Sequence, residues 1–280
     1  MSSLSIERPT GVPVPPSGAA VVFEDVHLSF EDNQVLRGVS FQLPFGETKA
    51  LFGVAGSGKS TILKLALGLL APDSGRITVL GNDVTQLPEQ ELFPMRAHLG
   101  MVFQESALFD SLTVRENVAY RLMEEHGIYD DEIDRRVRET LRFVELEHTL
   151  DLDPAELSGG MRRRVAIARA IITQPELLLY DSPTGGLDPV TSNTIIELIM
   201  KQRDVYRTSS LLVTHRLQDA FTLATHQFDP KTNTLRVLPR GQHCDVPMSF
   251  LILRDGKVTF DGDIRQLATT KDEYIREYIS

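Results

Sequence analysis

The sequence has no tryptophan, a single cysteine and no apolar run near the roughly 18 residues that a bilayer-spanning helix needs. Cys244 has no second cysteine with which to form an internal disulfide, and no Cys/His cluster has zinc-site spacing. These absences exclude a disulfide-stabilised framework and a structural zinc module, and they argue against a membrane-spanning segment. We therefore expect a protein of a reducing compartment.

An excess of positive charge is also missing. The chain has 29 Lys and Arg against 39 Asp and Glu, a net charge of −10, which disfavours attachment to nucleic acid by bulk electrostatics. Its 280 residues, 41% hydrophobic and 24% charged, have the composition of a globular protein. Residues 1–20 contain four prolines and no apolar core of a signal peptide. We predict a flexible tail over 1–20 and one cytoplasmic domain over 21–280.

Uninterrupted apolar runs alternate with amphipathic helical patterns, which is typical of a parallel sheet covered by helices on both faces. The predicted strands are 21–23, 36–43, 48–52, 177–180 and a last one at 210–213. The predicted helices are 60–70, 131–146, 160–172 and 191–202. The turn at 31–33 indicates an antiparallel start, and the Pro/Gly-containing stretch 228–247 indicates a surface insertion. The pattern predicts an α/β fold.

A glycine-rich loop follows the strand at 48–52. Residues 53–60 read GVAGSGKS and fit G-x-x-x-x-G-K-[ST] between a predicted strand and helix, where this motif binds phosphate. Lys59 can reach the β- and γ-phosphates, and the Ser60 hydroxyl can ligate Mg²⁺. The predicted nucleotide-binding residues here are Gly53, Gly56, Ser57, Gly58, Lys59, Ser60 and Thr61. The alternative is a plain glycine turn before an ordinary helix. The predicted strand before the loop and the predicted helix after it favour the phosphate-binding motif, and we therefore predict ATP and Mg²⁺ as cofactors.

Two further positions can hold charge. Asp181 ends an apolar strand, so it should lie at the carboxyl edge of the sheet near the Mg²⁺ shell, although strand ends are commonly polar. Ser158, Gly159 and Gly160 precede a predicted helix, whose free N–H groups and Ser158 hydroxyl form a second anion site. Ser-Gly-Gly alone is a common turn. Two phosphate-binding helix ends in one chain suggest two chains that enclose nucleotide between them.

Taken in order, these motifs resemble the ATPase subunit of ATP-binding-cassette (ABC) transporters, from about residue 21 to the C-terminus. The resemblance implies a P-loop NTPase (RecA-like) core, an antiparallel β subdomain and a helical ABC-specific subdomain at about 105–158. It also implies Gln104 as the Q-loop residue that contacts γ-phosphate and Mg²⁺, Asp188 in the D-loop and His215 as the switch histidine. Phe30 lies where the family stacks an aromatic ring on adenine; a core position is the alternative.

Within that family, residues 101–120, the run 159–164 and the ending 274–279 resemble the ATPases of Mce/Mla-type lipid transport systems. This resemblance implies a homodimer or heterodimer on the inner face of the membrane, an integral-membrane permease, an Mce-type substrate-binding protein and a phospholipid- or sterol-like cargo. No nucleic acid is expected. The basic run 162–164 favours a structural helix face over a nucleic-acid patch. A non-transport ABC protein that acts on nucleic acid is the competing function.

One position departs from the family pattern. Ser182 follows Asp181, where the family has a glutamate that polarises the attacking water, and general-base help is typically worth about 10² to 10⁴ in rate. Three explanations remain open. His215 with Ser182 and an ordered water position the nucleophile, a glutamate-containing partner performs hydrolysis, or the substitution was engineered to trap ATP. We expect catalytic roles for Ser182, His215 and Gln104 and Mg²⁺ ligation by Ser60, Gln104 and Asp181. We also expect slow hydrolysis unless another group compensates for the missing carboxylate, whereas ATP binding should survive.

Overall fold

Two β-sheets and a layer of helices organise the chain in the computed structural model, which describes residues 18–126, 129–229, 231–239 and 244–279. Residues 1–17 of the predicted tail lie outside the described residues, whereas Ala19 and Ala20 already belong to the first strand. The strands are β1 (Ala19–Phe30), β2 (Asn33–Pro44), β3 (Thr48–Gly53), β4 (Ser74–Val79), β5 (Asn82–Asp83), β6 (Leu99–Val102), β7 (Leu177–Asp181), β8 (Ser209–Val213), β9 (His226–Asp229), β10 (Thr234–Val237), β11 (Met248–Arg254) and β12 (Lys257–Gly262).

Helices cover both faces of the larger sheet. They are α1 (Lys59–Ala66), α2 (Glu89–Arg96), α3 (Val114–His126), α4 (Asp131–Phe143), α5 (Gly159–Ile171), α6 (Pro189–Tyr206), α7 (Leu217–Thr225), α8 (Ile264–Ala268) and α9 (Glu273–Ile279), with short 3₁₀ turns at Glu147–Thr149 and Pro154–Glu156. Among the described residues, no helix has both the length and the apolar character required to cross a bilayer.

The larger sheet has the strand order β12-β11-β3-β8-β7-β6 and is parallel except at β12. The strands β3 and β8 are buried along their whole length, as their continuous apolar sequences predict. In the register of the sheet, Leu51 and Asp181 both pair with Val213. The carboxyl ends of β3, β7 and β8 therefore meet at one edge, and the loops that follow them form the site.

The smaller sheet is antiparallel, with the order β2-β1-β4-β5, and it confirms the predicted antiparallel start. Its inner face contributes the stacked pair Phe23 and Phe41, whose ring centroids are 4.7 Å apart. Between β6 and β7 the chain forms α3, α4 and α5. The amphipathic pattern of α4 buries Ile133, Val137 and Leu141 against the helical side of the core, and Asp130 caps the helix at the Ile133 N–H with a 2.9 Å bond. The α/β fold with its two added subdomains is as predicted.

The structure corrects the predicted end of one helix and the predicted position of the last strand. The predicted helix 60–70 ends at Ala66, because Gly68 has φ = +66°, a conformation that terminates helices. The strand at 210–213 was expected to be the last, but β9 to β12 follow it, and β11 pairs in parallel with β3. The strands β9 and β10 pair antiparallel and lie against α6, where Asp204 accepts the Phe228 N–H at 2.7 Å.

Candidate nucleotide site

The loop between β3 and α1 has the geometry of a phosphate cradle. Gly58 caps α1 with φ = +98°, and a Cβ there would lie 2.6 Å from Leu36 Cδ2, so only glycine fits. The first backbone hydrogen bond of α1 runs from the Ile62 N–H to the Gly58 carbonyl at 3.0 Å. The N–H groups of Lys59, Ser60 and Thr61 therefore precede the helix ladder and lie at its positive end.

Lys59 lies over this loop. Its Nζ donates to the Gly53 and Val54 carbonyls, at 2.8 Å each, and to Ser57 Oγ at 3.2 Å. Burial lowers the pKa of Lys59, and the nearby Asp181 carboxylate opposes that shift. The ammonium is thus held inside the loop by neutral acceptors. A phosphate would form stronger, charge-assisted hydrogen bonds with it and could replace these acceptors.

Two of the residues expected to hold Mg²⁺, Ser60 and Asp181, meet at the sheet edge. Ser60 Oγ donates to Asp181 Oδ1 at 3.1 Å, although 121 residues separate them in sequence. A hydroxyl and a carboxylate are the oxygen ligands that this cation prefers, so the donor set fits Mg²⁺. Gln104 is exposed, and a Cβ on Gly185 would lie 3.6 Å from its Cγ. Its side chain therefore lies against the turn that follows Asp181.

Ser182 begins that turn in a left-handed conformation, with φ = +47° and 8% exposure. Its N–H donates to the Val213 carbonyl at 2.9 Å, and its carbonyl accepts from the Gly185 N–H at 2.8 Å. Both backbone groups are used, which fixes the position of the side chain beside Asp181. The residue that departs from the family pattern therefore occupies a rigid place at the site.

A buried carboxylate, Asp219, lies behind the turn, and the sequence reading had not singled it out. Thr184 Oγ1 donates to Asp219, and Arg216 Nε lies 3.6 Å from its Oδ1. Burial raises the pKa of Asp219, against the Thr184 hydrogen bond and the charges of Arg216 and His215. His215 itself is exposed, two residues past the end of β8. Asp219 thus anchors the turn, and His215 is open to solvent at its rim.

The second predicted anion site is the start of α5. Ser158 Oγ caps the helix by accepting the Met161 N–H at 3.2 Å, and the Arg162 N–H bonds the Ser158 carbonyl at 2.9 Å. The N–H groups of Gly159 and Gly160 precede that bond, and Ser158 and Gly159 are exposed. The hydroxyl oxygen is therefore engaged as a cap, while the helix end still faces outward.

Two other predicted residues and one unpredicted residue complete the site. Phe30 is 46% exposed at the end of β1, which excludes a core position for its ring. Asp188 caps α6, accepting the Val190 and Thr191 N–H groups at 3.0 Å each, and these bonds, with the Thr191 hydroxyl foremost, lower its pKa. Tyr278 of α9 was not predicted.

Tyr278 brings the C-terminal helix to the phosphate loop. Its Oη accepts the Gly53 N–H at 3.3 Å, and its ring stacks on Tyr274 at 6.1 Å. Tyr274 in turn lies against the Arg254 guanidinium, 4.2 Å from the ring centroid. Since Gly53 and Tyr278 are 225 residues apart, no local pattern could have indicated this contact.

A glycine loop after a central parallel strand, a lysine and serine on the following helix and an aspartate at the end of a neighbouring strand define a P-loop nucleotide-binding protein. A family model described as ABC transporter matches residues 36–185. The chain belongs to the ABC transporter family, as an ATP-binding subunit, and thus to a family of ATPases.

Two relatives and one solved structure show the extent of the similarity. TRIGALACTOSYLDIACYLGLYCEROL 3, a chloroplastic protein of Arabidopsis thaliana, is 36% identical over 271 residues, which cover 94% of this chain and 74% of that protein. The intermembrane phospholipid transport system ATP-binding protein MlaF of Haemophilus influenzae is 30% identical over 260 residues, covering 92% and 90%. A dimeric ATP-binding cassette in a post-hydrolysis state, bound to ADP and Pi, superposes with a TM-score of 0.72 at 28% identity, covering 88% of this chain and 99% of that one.

Proposed function

We propose that this chain binds Mg²⁺·ATP and hydrolyses it as one subunit of a dimer, and that closure of the dimer drives a membrane permease that moves a lipid-like substrate. The observation that carries the proposal is the assembly of Lys59, Ser60 and Asp181 at one sheet edge, beside the free N–H groups of α1. Ser60, Asp181 and Gln104 would hold Mg²⁺, which neutralises charge on the transferred phosphoryl group.

Different observations support the proposed dimer and the proposed lipid cargo. We propose that the outward-facing start of α5 provides an anion site for the nucleotide of a partner subunit. The solved cassette of similar fold, which is dimeric and bound to ADP and Pi, supports the dimer. In this arrangement Ser158, Gly159 and Gly160 contact the partner's ATP, Asp188 lies at the interface and Phe30 stacks on adenine. The lipid-like cargo is supported by similarity to the intermembrane phospholipid transport system ATP-binding protein. The Mce-type partner and a location on the inner face of the membrane are proposed from the family resemblance of the sequence alone.

Catalysis at Ser182 needs a separate account. A neutral hydroxyl does not accept a proton near pH 7 as a carboxylate does, so this residue orients water and leaves His215 as the nearby base. Phosphoryl transfer depends mainly on alignment and electrostatic stabilisation, and these remain in place here. We therefore propose turnover that is slow but measurable, and faster when a carboxylate is restored.

The test is steady-state ATP hydrolysis together with ATP binding on the same samples of the full chain. Lys59→Ala should lose both, and Lys64→Ala, an exposed lysine on the same helix, should lose neither. Ser182→Glu should raise kcat by about 10²-fold and Ser182→Ala should leave ATP binding unchanged. A wild-type chain that fails to bind ATP contradicts the proposal. If it binds without turnover and Ser182→Glu restores activity, hydrolysis belongs to a glutamate-containing partner.

Transport and nucleic-acid binding are distinguished by a second measurement. Copurification of a permease and ATP-dependent movement of labelled phospholipid between vesicles support the transport function. Salt-sensitive binding of DNA or RNA without a membrane partner supports the alternative, which the net charge of −10 disfavours.

A further inference from the structure

One buried arginine on α5 joins three segments of the nucleotide site. The Arg163 side chain is 4% exposed, and its guanidinium donates to four backbone carbonyls. Nη1 bonds Phe103 O at 3.2 Å and Ser182 O at 3.3 Å, while Nη2 bonds Gln104 O and, at 3.4 Å, Gly185 O. One guanidinium therefore holds Gln104 and the turn that follows Asp181 against α5, the helix that begins at Gly159 and Gly160.

The surroundings of this charge are unusual for a purely structural residue. No ion pair among the described residues includes Arg163, and its Nε is buried without a hydrogen-bond partner. Burial lowers the pKa of Arg163, and the charge of Glu105 opposes that shift. An apolar side chain would fill this space without the desolvation of a cation. The guanidinium of Arg163 instead donates hydrogen bonds to four carbonyl groups on two separate segments, which an apolar side chain cannot do.

The three segments joined by Arg163 lie at two different places where nucleotide would bind. Ser182 follows Asp181, which accepts a hydrogen bond from Ser60 of the phosphate loop, and Gln104 lies against the turn that Ser182 begins. The start of α5 faces outward with Ser158 and Gly159 exposed. We propose that Arg163 is a positioning residue that couples the nucleotide bound at this chain's phosphate loop to the helix end presented to the partner's nucleotide. This inference rests on the proposed function, since it presumes ATP at both places.

The adjacent arginine provides a matched control. Arg164 lies on the same helix and carries the same charge, but its Nη1 contacts the Val144 carbonyl of the helical subdomain, at 3.3 Å. It has no described bond to the Q-loop or to the turn after Asp181. Replacing Arg164 therefore removes an equal charge from α5 and leaves the junction at Arg163 intact.

The experiment compares full-length wild type, Arg163→Gln, Arg163→Lys and Arg164→Gln. Hydrogen exchange is followed in the peptide covering residues 157–162, at a concentration where the chain is monomeric, with and without Mg²⁺ and the non-hydrolysable analogue AMPPNP. The Kd for AMPPNP, the kcat and KM for ATP and the melting temperature are measured on the same preparations. AMPPNP should slow exchange at 157–162 in wild type and in Arg164→Gln.

In Arg163→Gln, the Kd should stay within about threefold of wild type, because Lys59 and Ser60 are untouched. The nucleotide-dependent change at 157–162 should vanish and kcat should fall about 10²-fold with little change in KM, since misplacement of a catalytic site has costs of that order. Arg163→Lys keeps the charge with fewer and less rigid donors, so it should be intermediate, and it carries the test if Arg163→Gln does not fold.

The outcomes separate the inference from the function on which it rests. If either Arg163 variant is less thermostable but keeps both the exchange change and kcat within threefold, Arg163 is only structural and the inference is overturned. Wild type that binds AMPPNP without any change at 157–162 also overturns it. Wild type that does not bind AMPPNP contradicts the proposed function itself.

Discussion

The two glycines that open α5 differ in what an added methyl group would meet, and this difference predicts opposite effects of the same substitution. A Cβ on Gly160 would lie 2.4 Å from Thr191 Cγ2, whereas the nearest atom to a Cβ on Gly159 is Leu187 Cδ2 at 3.7 Å, an ordinary contact. Thr191 cannot turn away easily, because it is β-branched and its hydroxyl donates to Asp188 at 2.5 Å.

The expected change in the free energy of unfolding of Gly160→Ala is the sum of two opposing contributions. Forcing an extra methyl group into a packed contact costs about 1–3 kcal/mol. Gly→Ala in a helix returns up to about 1 kcal/mol. Gly160→Ala should therefore lower the free energy of unfolding by about 1–2 kcal/mol, and the melting temperature by about 2–4 °C for each kcal/mol. Gly159→Ala should leave stability unchanged or slightly increased.

Urea unfolding of both variants measures these changes. The decisive control is Gly160→Ala combined with Thr191→Ser, which removes the Cγ2 atom and keeps the hydroxyl for Asp188. The double variant should recover most of the lost stability, as an interaction energy in a double-mutant cycle. Equal stabilities for the two glycine variants, or no recovery in the double variant, would refute the assigned packing.

Two further predictions concern buried polar groups. Tyr180 is 1% exposed and its hydroxyl has no hydrogen-bond partner among the described residues, so Tyr180→Phe should raise the free energy of unfolding by about 1 kcal/mol. A decrease of that size in urea unfolding would contradict this assignment. Burial raises the folded-state pKa of Asp219, so its contribution to stability is greatest below its unfolded pKa and declines as pH rises through the folded value. The stability of wild type relative to Asp219→Asn should therefore fall from pH 4 upward and then level off, and a difference that grows with pH would contradict this.

The elements that build the phosphate site were predictable because their signals are local. A strand, a glycine loop and a helix follow one another within twenty residues, and an aspartate after an apolar strand must lie at the carboxyl edge of a parallel sheet. The pairing of Ser60 with Asp181 then follows from the order of the strands. Gln104, by contrast, has no such local signal, because the loop that carries it shows no periodic pattern. Its role could be predicted only from the family resemblance.

What the sequence did not reveal depends on contacts between distant segments. Arg163 was grouped with two neighbours as a basic helix face, yet it lies three and four residues before the buried Ala166 and Ile167. That spacing is a signal of burial that the charges obscured. The partners of Arg163 are carbonyl groups, which any residue supplies, so no residue type could have indicated them. The strands β11 and β12 were missed because the Pro/Gly-containing sequence 228–247 precedes them and interrupts the alternation of strand and helix patterns.

The hydrogen bond between Tyr278 and Gly53 has a practical consequence for work with this protein. The Gly53 amide of the phosphate loop is held by a side chain on α9, so a segment fused directly after α9 begins close to the place where nucleotide binds. An affinity tag or fluorescent protein at that end can change the measured ATP affinity without any change in the loop itself. Fusions are better placed ahead of β1, and truncations that remove α9 should be treated as alterations of the nucleotide site.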